Sequence, residues 1–277
     1  MSHAASPNGS PMRFKLPLFL LPLLIAGCAA GERPATPVAP KLFTQGYGAA
    51  PRSAPTLYVV LHGNGRRSKI DTSDFAKALA AVEPGSAVVR LLRPGYADGA
   101  GGQSPGTRGA SPSDDFSAER IAAVGDAVTA LRQRYRRARV VLIGEAGGAV
   151  VAANLAGLRP GLIDGVVLVS CPCALPEWRA YRAKREPDVS HWREKLVSLD
   201  PLQTAGGIQP GLRAAILVGG ADADVPARFS RSYAEALSLR GIATDFRIIP
   251  GRSDPVLDDP QVIEAARRLA AALPGRK

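Results

Sequence analysis

Val140-Val141-Leu142-Ile143-Gly144-Glu145-Ala146-Gly147-Gly148-Ala149-Val150-Val151 is an apolar run that breaks at glycine and resumes as an apolar stripe compatible with a helix. The pattern predicts a strand, a sharp turn and a helix. Small residues around such a turn let the strand and the helix crowd together without side-chain collision. Ala146 occupies the middle of the turn, and its methyl group has no atom able to attack a carbonyl or carry a proton.

The same alternation continues on both sides. Thr56 to Leu61 is a β-branched run that stops at His62-Gly63-Asn64-Gly65, which predicts a buried strand leading into a glycine turn. A helix is expected over Asp71 to Val82, with Phe75, Leu79 and Val82 on one face, and a second strand over Ser86 to Leu92. Asp98 to Ser113 is dominated by Gly, Ser and Pro and is expected to be a long loop. Ile121, Val124, Val128, Leu131 and Tyr135 recur at three- and four-residue spacing, so Ser117 to Tyr135 reads as a helix. Strands are expected at Gly165 to Ser170, Arg213 to Val218 and Asp245 to Ile249, and helices at Pro226 to Leu239 and Pro260 to Leu273. Strands alternating with helices imply an α/β fold, a mostly parallel sheet covered on both faces. Cys171 to Ile208, with Trp178, Tyr181 and Trp192, breaks the alternation and is expected to form a small cap, about 171–208, over the carboxyl edge of the sheet.

The chain has 277 residues, 46% of them hydrophobic, enough for one substantial core. Its formal charge of +11 includes Arg13 and Lys15 near the start, and +9 remains without them. Arg132, Arg134, Arg136, Arg137 and Arg139 gather at a predicted helix end, where the helix dipole favours cations, and no aromatic residues interleave with them. Nucleic-acid binding is therefore not expected. Of three cysteines, Cys171 and Cys173 are too close in sequence for an easy disulfide, and buried thiols are expected. No spaced ligand set points to a metal, and no nucleotide fingerprint is present, so no cofactor is expected.

Residues 1–27 read as a signal peptide: Arg13 and Lys15 precede an apolar run from Leu16 to Ile25 that is too short to span a membrane. Met12 is the alternative start, because residues 1–11 are polar. Ile25-Ala26-Gly27-Cys28 resembles the bacterial lipobox, which implies lipidation of Cys28 and a chain anchored on the periplasmic side of the cell envelope. Ala29 and Ala30 after the cysteine favour the outer membrane over the inner one. Residues 28–55, rich in Ala and Pro, are expected to be a tether, leaving 56–277 as the folded domain.

Four segments in order resemble the α/β-hydrolase superfamily, esterase- and peptidase-like, over roughly Thr56 to Leu273. Gly144-Glu145-Ala146-Gly147-Gly148 is similar to the nucleophile elbow G-x-S-x-G, with Ala146 at the nucleophile position. Leu61-His62-Gly63-Asn64-Gly65 is similar to the oxyanion turn; the resemblance implies amide donors at Asn64, or a neighbouring turn residue, and at Gly147. His62 is expected to be structural. Gly219 to Pro226 looks like the strand end whose aspartate orients the catalytic histidine, with Asp222 fitting best and Asp224 second. Pro250-Gly251-Arg252-Ser253-Asp254 looks like the loop that carries the histidine, and Asp254 stands at that base position.

The resemblance therefore implies a degenerate Ser-His-Asp triad. His3, His62 and His191 are the only histidines, and His191 precedes Asp222, out of the family's order of nucleophile, acid and base. Two functions follow as expectations: a non-catalytic pseudo-hydrolase binding a small acyl-type ligand or a partner, or an inactivated form of a serine esterase or peptidase. An acidic group of Glu145, Asp222 and Asp254 is a third, weaker candidate for acid–base or metal chemistry. Ser170 and Cys171 are alternative nucleophiles by type, but their position at a strand end favours a structural role.

Overall fold

The computed structural model describes residues 41–64, 70–109, 116–195, 197–253 and 256–275. The expected signal peptide, Cys28 and Asp254 lie outside the described residues.

In chain order the elements are β1 (Thr44–Gly48), β2 (Thr56–Leu61), α1 (Ser73–Val82), β3 (Ala87–Leu91), α2 (Ala118–Arg134), β4 (Arg139–Glu145), α3 (Gly147–Leu158) and β5 (Gly165–Val169). They continue with α4 (Leu175–Arg185), a 3-10 turn at Ser190–Arg193, α5 (Pro201–Thr204), a second 3-10 turn at Ala205–Gly207, β6 (Arg213–Gly219), α6 (Ala227–Leu239), β7 (Ala243–Ile249) and α7 (Pro260–Ala271). The seven strands form one sheet in the order β1-β3-β2-β4-β5-β6-β7, and every neighbour pair is parallel except β1 with β3.

Period-two alternation divides each central strand between two cores. Leu57, Val59 and Leu61 of β2 join Leu142 and Leu168 under α2, α3 and α6. Tyr58 and Val60 join Ile143 and Val167 under α1 and α7. Both faces of the sheet are covered, which is why the parallel strands read as continuous apolar runs. Helix ends follow their caps: Ser117 accepts from the Arg120 amide at the start of α2, and Asp259 accepts from the Gln261 amide at 2.9 Å at the start of α7, where Pro260 occupies the first turn. Among the described residues no helix is long and apolar enough to cross a membrane.

Two expectations need correction. The expected tether 28–55 contains β1, which pairs with β3 from Thr44↔Leu91 to Gly48↔Ala87. Gln45 accepts a 2.7 Å bond from Arg90 Nε, and Leu42 and Ala54 are buried in the core. Folded structure therefore begins before residue 56; β1 escapes a propensity reading because two of its five residues are glycine and prolines flank it. The second concerns Cys171 and Cys173, which are joined in a disulfide rather than being thiols. Pro172 lies between them, and the two Cα atoms are 5.1 Å apart, within bridging range.

Candidate active site

The carboxyl ends of β2, β4 and β6 bring Asn64, Ala146, Gly147 and Asp222 to one edge of the sheet. β4 ends at Glu145, and α3 begins at Gly147. Between them Ala146 has φ 48° and ψ −111°, a conformation that costs a non-glycine residue on the order of 1–3 kcal/mol. The surrounding bonds hold it there: the Ala146 amide donates to Val169 O at 2.9 Å, and its carbonyl accepts from the Val150 amide at 3.1 Å. Glycines are required beside it because backbone passes too close. A Cβ on Gly148 would lie 2.6 Å from His62 O and 2.8 Å from the Leu61 carbonyl carbon, while one on Gly144 would meet Ala149 N at 2.6 Å. A Cβ on Gly147 would collide with the Asn64 side-chain oxygen, so Asn64 and Gly147 are direct neighbours.

His62 is locked and neutral. Its Nδ1 donates to Gly63 O at 2.7 Å, which leaves Nε2 to accept from the Arg93 amide at 3.0 Å. Burial, and then the positive charge of Arg93, hold its pKa well below the ordinary histidine value. Its role is structural, as expected: it pins the end of β2 to the end of β3 and packs edge-on against Tyr96 at 4.6 Å. Sequence reasoning missed Arg93. Its guanidinium, buried at the end of β3, donates through Nη2 to Gly63 O at 2.8 Å and Asn64 Oδ1 at 2.7 Å, thereby fixing the Asn64 side chain against the elbow. An isolated arginine in Arg93-Pro94-Gly95-Tyr96 carries no periodic signal that would have identified it.

Asp222 is buried in the turn after β6. One carboxylate oxygen accepts from the Asp224 amide and the Val225 amide, both at 2.9 Å, so the carboxylate is oriented by the turn itself. Burial raises its pKa, a shift opposed by those two amides and by the neighbouring Ser170 hydroxyl. Ser170 lies beside the carboxylate rather than in strict hydrogen-bond geometry with it. Asp224, the second-ranked acid, faces elsewhere and pairs with Arg182 at 2.6 Å.

The turn that carries Asp222 is braced by the segment expected to be a cap. Trp178 Nε1 donates to Asp224 O at 2.7 Å, and Tyr181 Oη donates to Ala223 O at 2.8 Å. Trp178 and Trp192 meet edge to face at 5.2 Å inside the same core as α3 and α6, so their aromatic surface is spent on packing. The loop after β7 lies against the same turn: Gly220 N donates to Ile249 O at 2.8 Å and Ala221 N to Arg252 O at 2.9 Å.

Glu145 is buried at the end of β4, opposite Val169 of β5. Among the described residues no group of three His, Cys, Asp or Glu side chains is arranged to hold a metal ion.

No family model matches the chain, and no curated protein does. Solved structures do. A monoacylglycerol lipase from Paleococcus ferrophilus aligns with 82% of the chain and 96% of its own length at 19% identity and a TM-score of 0.55. An esterase from Pyrococcus furiosus aligns with 78% of the chain and 83% of its own at 16% identity and a TM-score of 0.58. The putative non-heme bromoperoxidase BpoC of Mycobacterium tuberculosis aligns with 85% of the chain and 97% of its own at 14% identity and a TM-score of 0.59. At these identities the likeness speaks to architecture alone, and with the strand order and the turn at Ala146 it leads to one conclusion: the chain has the α/β-hydrolase fold.

Proposed function

We propose that this protein is a non-catalytic pseudo-hydrolase, an α/β-hydrolase-fold lipoprotein that binds a small acyl-type ligand or a partner at the edge where the elbow lies. The observation that carries the proposal is Ala146: the backbone keeps an elbow conformation, with φ 48°, around a side chain that cannot act as a nucleophile. Asp254, at the position that the resemblance gives to the general base, has a side chain of the wrong kind for the histidine role. Loss of these groups leaves at most backbone donors, whose residual catalysis is on the order of 10³ to 10⁴ over water.

Backbone donors do not depend on the substituted side chains, so the Gly147 amide beside Asn64 can still receive a carbonyl or carboxylate oxygen. The acyl class of ligand rests on analogy with the lipase and esterases that share the fold. Arg13, Lys15, the apolar run to Ile25 and Cys28 support an anchor in the bacterial cell envelope, on the periplasmic side. The test is to titrate the full chain with a short acyl aryl ester. Saturable binding with no hydrolysis beyond that residual level is expected; turnover well beyond it contradicts the proposal.

A second reading is favoured by Asp222, which remains buried and oriented although it has no histidine to orient. On that reading the chain is an inactivated form of a serine esterase or peptidase, and Ala146→Ser with Asp254→His brings turnover back.

A further inference from the structure

β7 is the last strand of the sheet, and among the described residues nothing pairs with its outer side. The register shows which groups point outward. Ile249 O accepts from Gly220 N, so Ala243, Asp245, Arg247 and Ile249 direct their backbone groups to β6. Thr244, Phe246 and Ile248 therefore present theirs to the open edge. Proteins usually blunt such an edge with proline, lysine, a bulge or a very short strand. The seven residues of β7, Ala-Thr-Asp-Phe-Arg-Ile-Ile, contain no proline or lysine, and the charged residues present, Asp245 and Arg247, are of opposite sign. β1, the opposite edge, is shorter and contains two glycines.

The edge is also apolar on one side. Phe246 and Ile248 line an open groove against α6 together with Leu239, which is 90% exposed. Charge settles what fits there. In an antiparallel pair of identical strands about a two-fold axis, centring on Phe246 sets Asp245 opposite Arg247 of the other copy and Arg247 opposite its Asp245. Thr244 then faces Ile248, and all three outward-pointing residues exchange backbone hydrogen bonds with outward-pointing residues. Shifting the centre to residue 245 sets two aspartates against each other, and shifting it to 247 sets two arginines. Opposed like charges disfavour both neighbouring registers, and the register centred on Phe246 is the one that pairs all seven residues of the strand.

We propose that the β7 edge is the surface through which two copies of this chain associate, continuing one sheet across the two-fold axis at Phe246. In the single chain Asp245 already binds Arg247 at 3.0 Å, and Arg268 approaches it at 3.6 Å. Pairing adds the second copy's Asp245 and Arg247 to this cluster in alternating sign.

Sedimentation equilibrium of the full chain tests the proposal. The expected mass is twice the 28.9 kDa of one chain. Asp245→Arg alone and Arg247→Asp alone each place like charges opposite one another, and each is expected to run as a monomer. Mixing the two variants is expected to restore the dimer mass, because the strands are then complementary; this recovery also shows that both variants are folded. A monomeric wild-type chain overturns the proposal, whether the edge is covered by another part of the chain or by a different protein. Dimers that persist in both single variants overturn it equally.

Discussion

Replacing Gly148 by alanine tests how closely the elbow helix presses on the end of β2. The added Cβ would lie 2.6 Å from His62 O and closer still to Leu61 O, against an ordinary contact that starts at 3.4 Å. Both obstacles are backbone carbonyls, and His62 is tied to Gly63 and Arg93, so no side chain can swing aside. Overpacking of this kind costs about 3 kcal/mol, at the upper end of the usual range. The better helix propensity of alanine returns about 1 kcal/mol, which leaves a net loss of about 2 kcal/mol. With a urea dependence of about 3 kcal/mol per molar, the unfolding midpoint falls by about 0.7 M. Gly85→Ala is the control, since nothing lies within 4 Å of its added Cβ; its midpoint is expected to stay within about 0.2 M of the wild-type value. Equal midpoints for the two variants would refute the close approach of α3 to β2, and with it the elbow geometry.

Ala146→Gly relieves a left-handed conformation and is expected to stabilise the fold by about 1 kcal/mol, the released strain less the backbone entropy of glycine; a drop in thermal stability would contradict this. Burial raises the Asp222 pKa above its value of 3.8, so its contribution to stability is present below 3.8 and is lost as pH rises through the raised value. Asp222→Asn, which keeps the oxygen that accepts from Asp224 N and Val225 N, should match wild type in urea unfolding at low pH and exceed it at pH 7. Wild type outlasting the variant at pH 7 would show that the charge is favoured in the fold. The depressed pKa of His62 has the opposite sense: stability is complete above 6.5 and declines as pH falls below it, because only the unfolded chain takes up the proton. The His62 ring resonances should therefore not titrate between pH 8 and 5.5 in the folded chain, and a midpoint near 6.5 would overturn the buried, neutral assignment.

The parallel core strands and the helices beside them were legible because burial on both faces writes them as apolar runs and amphipathic stripes. Val140 to Val151 gave the elbow, and the spacing from Gly219 to Pro226 pointed to Asp222 ahead of Asp224; the structure buries the first in its turn and pairs the second with Arg182. β1 was not legible, since an edge strand rich in glycine is held by its partner β3 rather than by its own propensities. Arg93 was not legible either, because its value lies in two carbonyl-type oxygens that approach from the end of another strand. Separation of two residues argued against bridging Cys171 to Cys173, yet the backbone at Pro172 leaves their Cα atoms 5.1 Å apart, within bridging range. The tryptophans read equally well as pocket walls or as core, and the edge-to-face pair inside the core settles that in favour of packing.

The central claim is that Ala146, Asp222 and Asp254 stand where a hydrolase keeps its nucleophile, acid and base. Its most direct test is hydrolysis of a short acyl aryl ester by the wild-type chain, by Ala146→Ser with Asp254→His, and by that pair with Asp222→Asn added. Expected are at most residual rates from the wild type, turnover well above them from the double variant, and a fall on the order of 10⁴ when Asp222 is also changed. A folded double variant no faster than wild type, or one indifferent to Asp222, would contradict it.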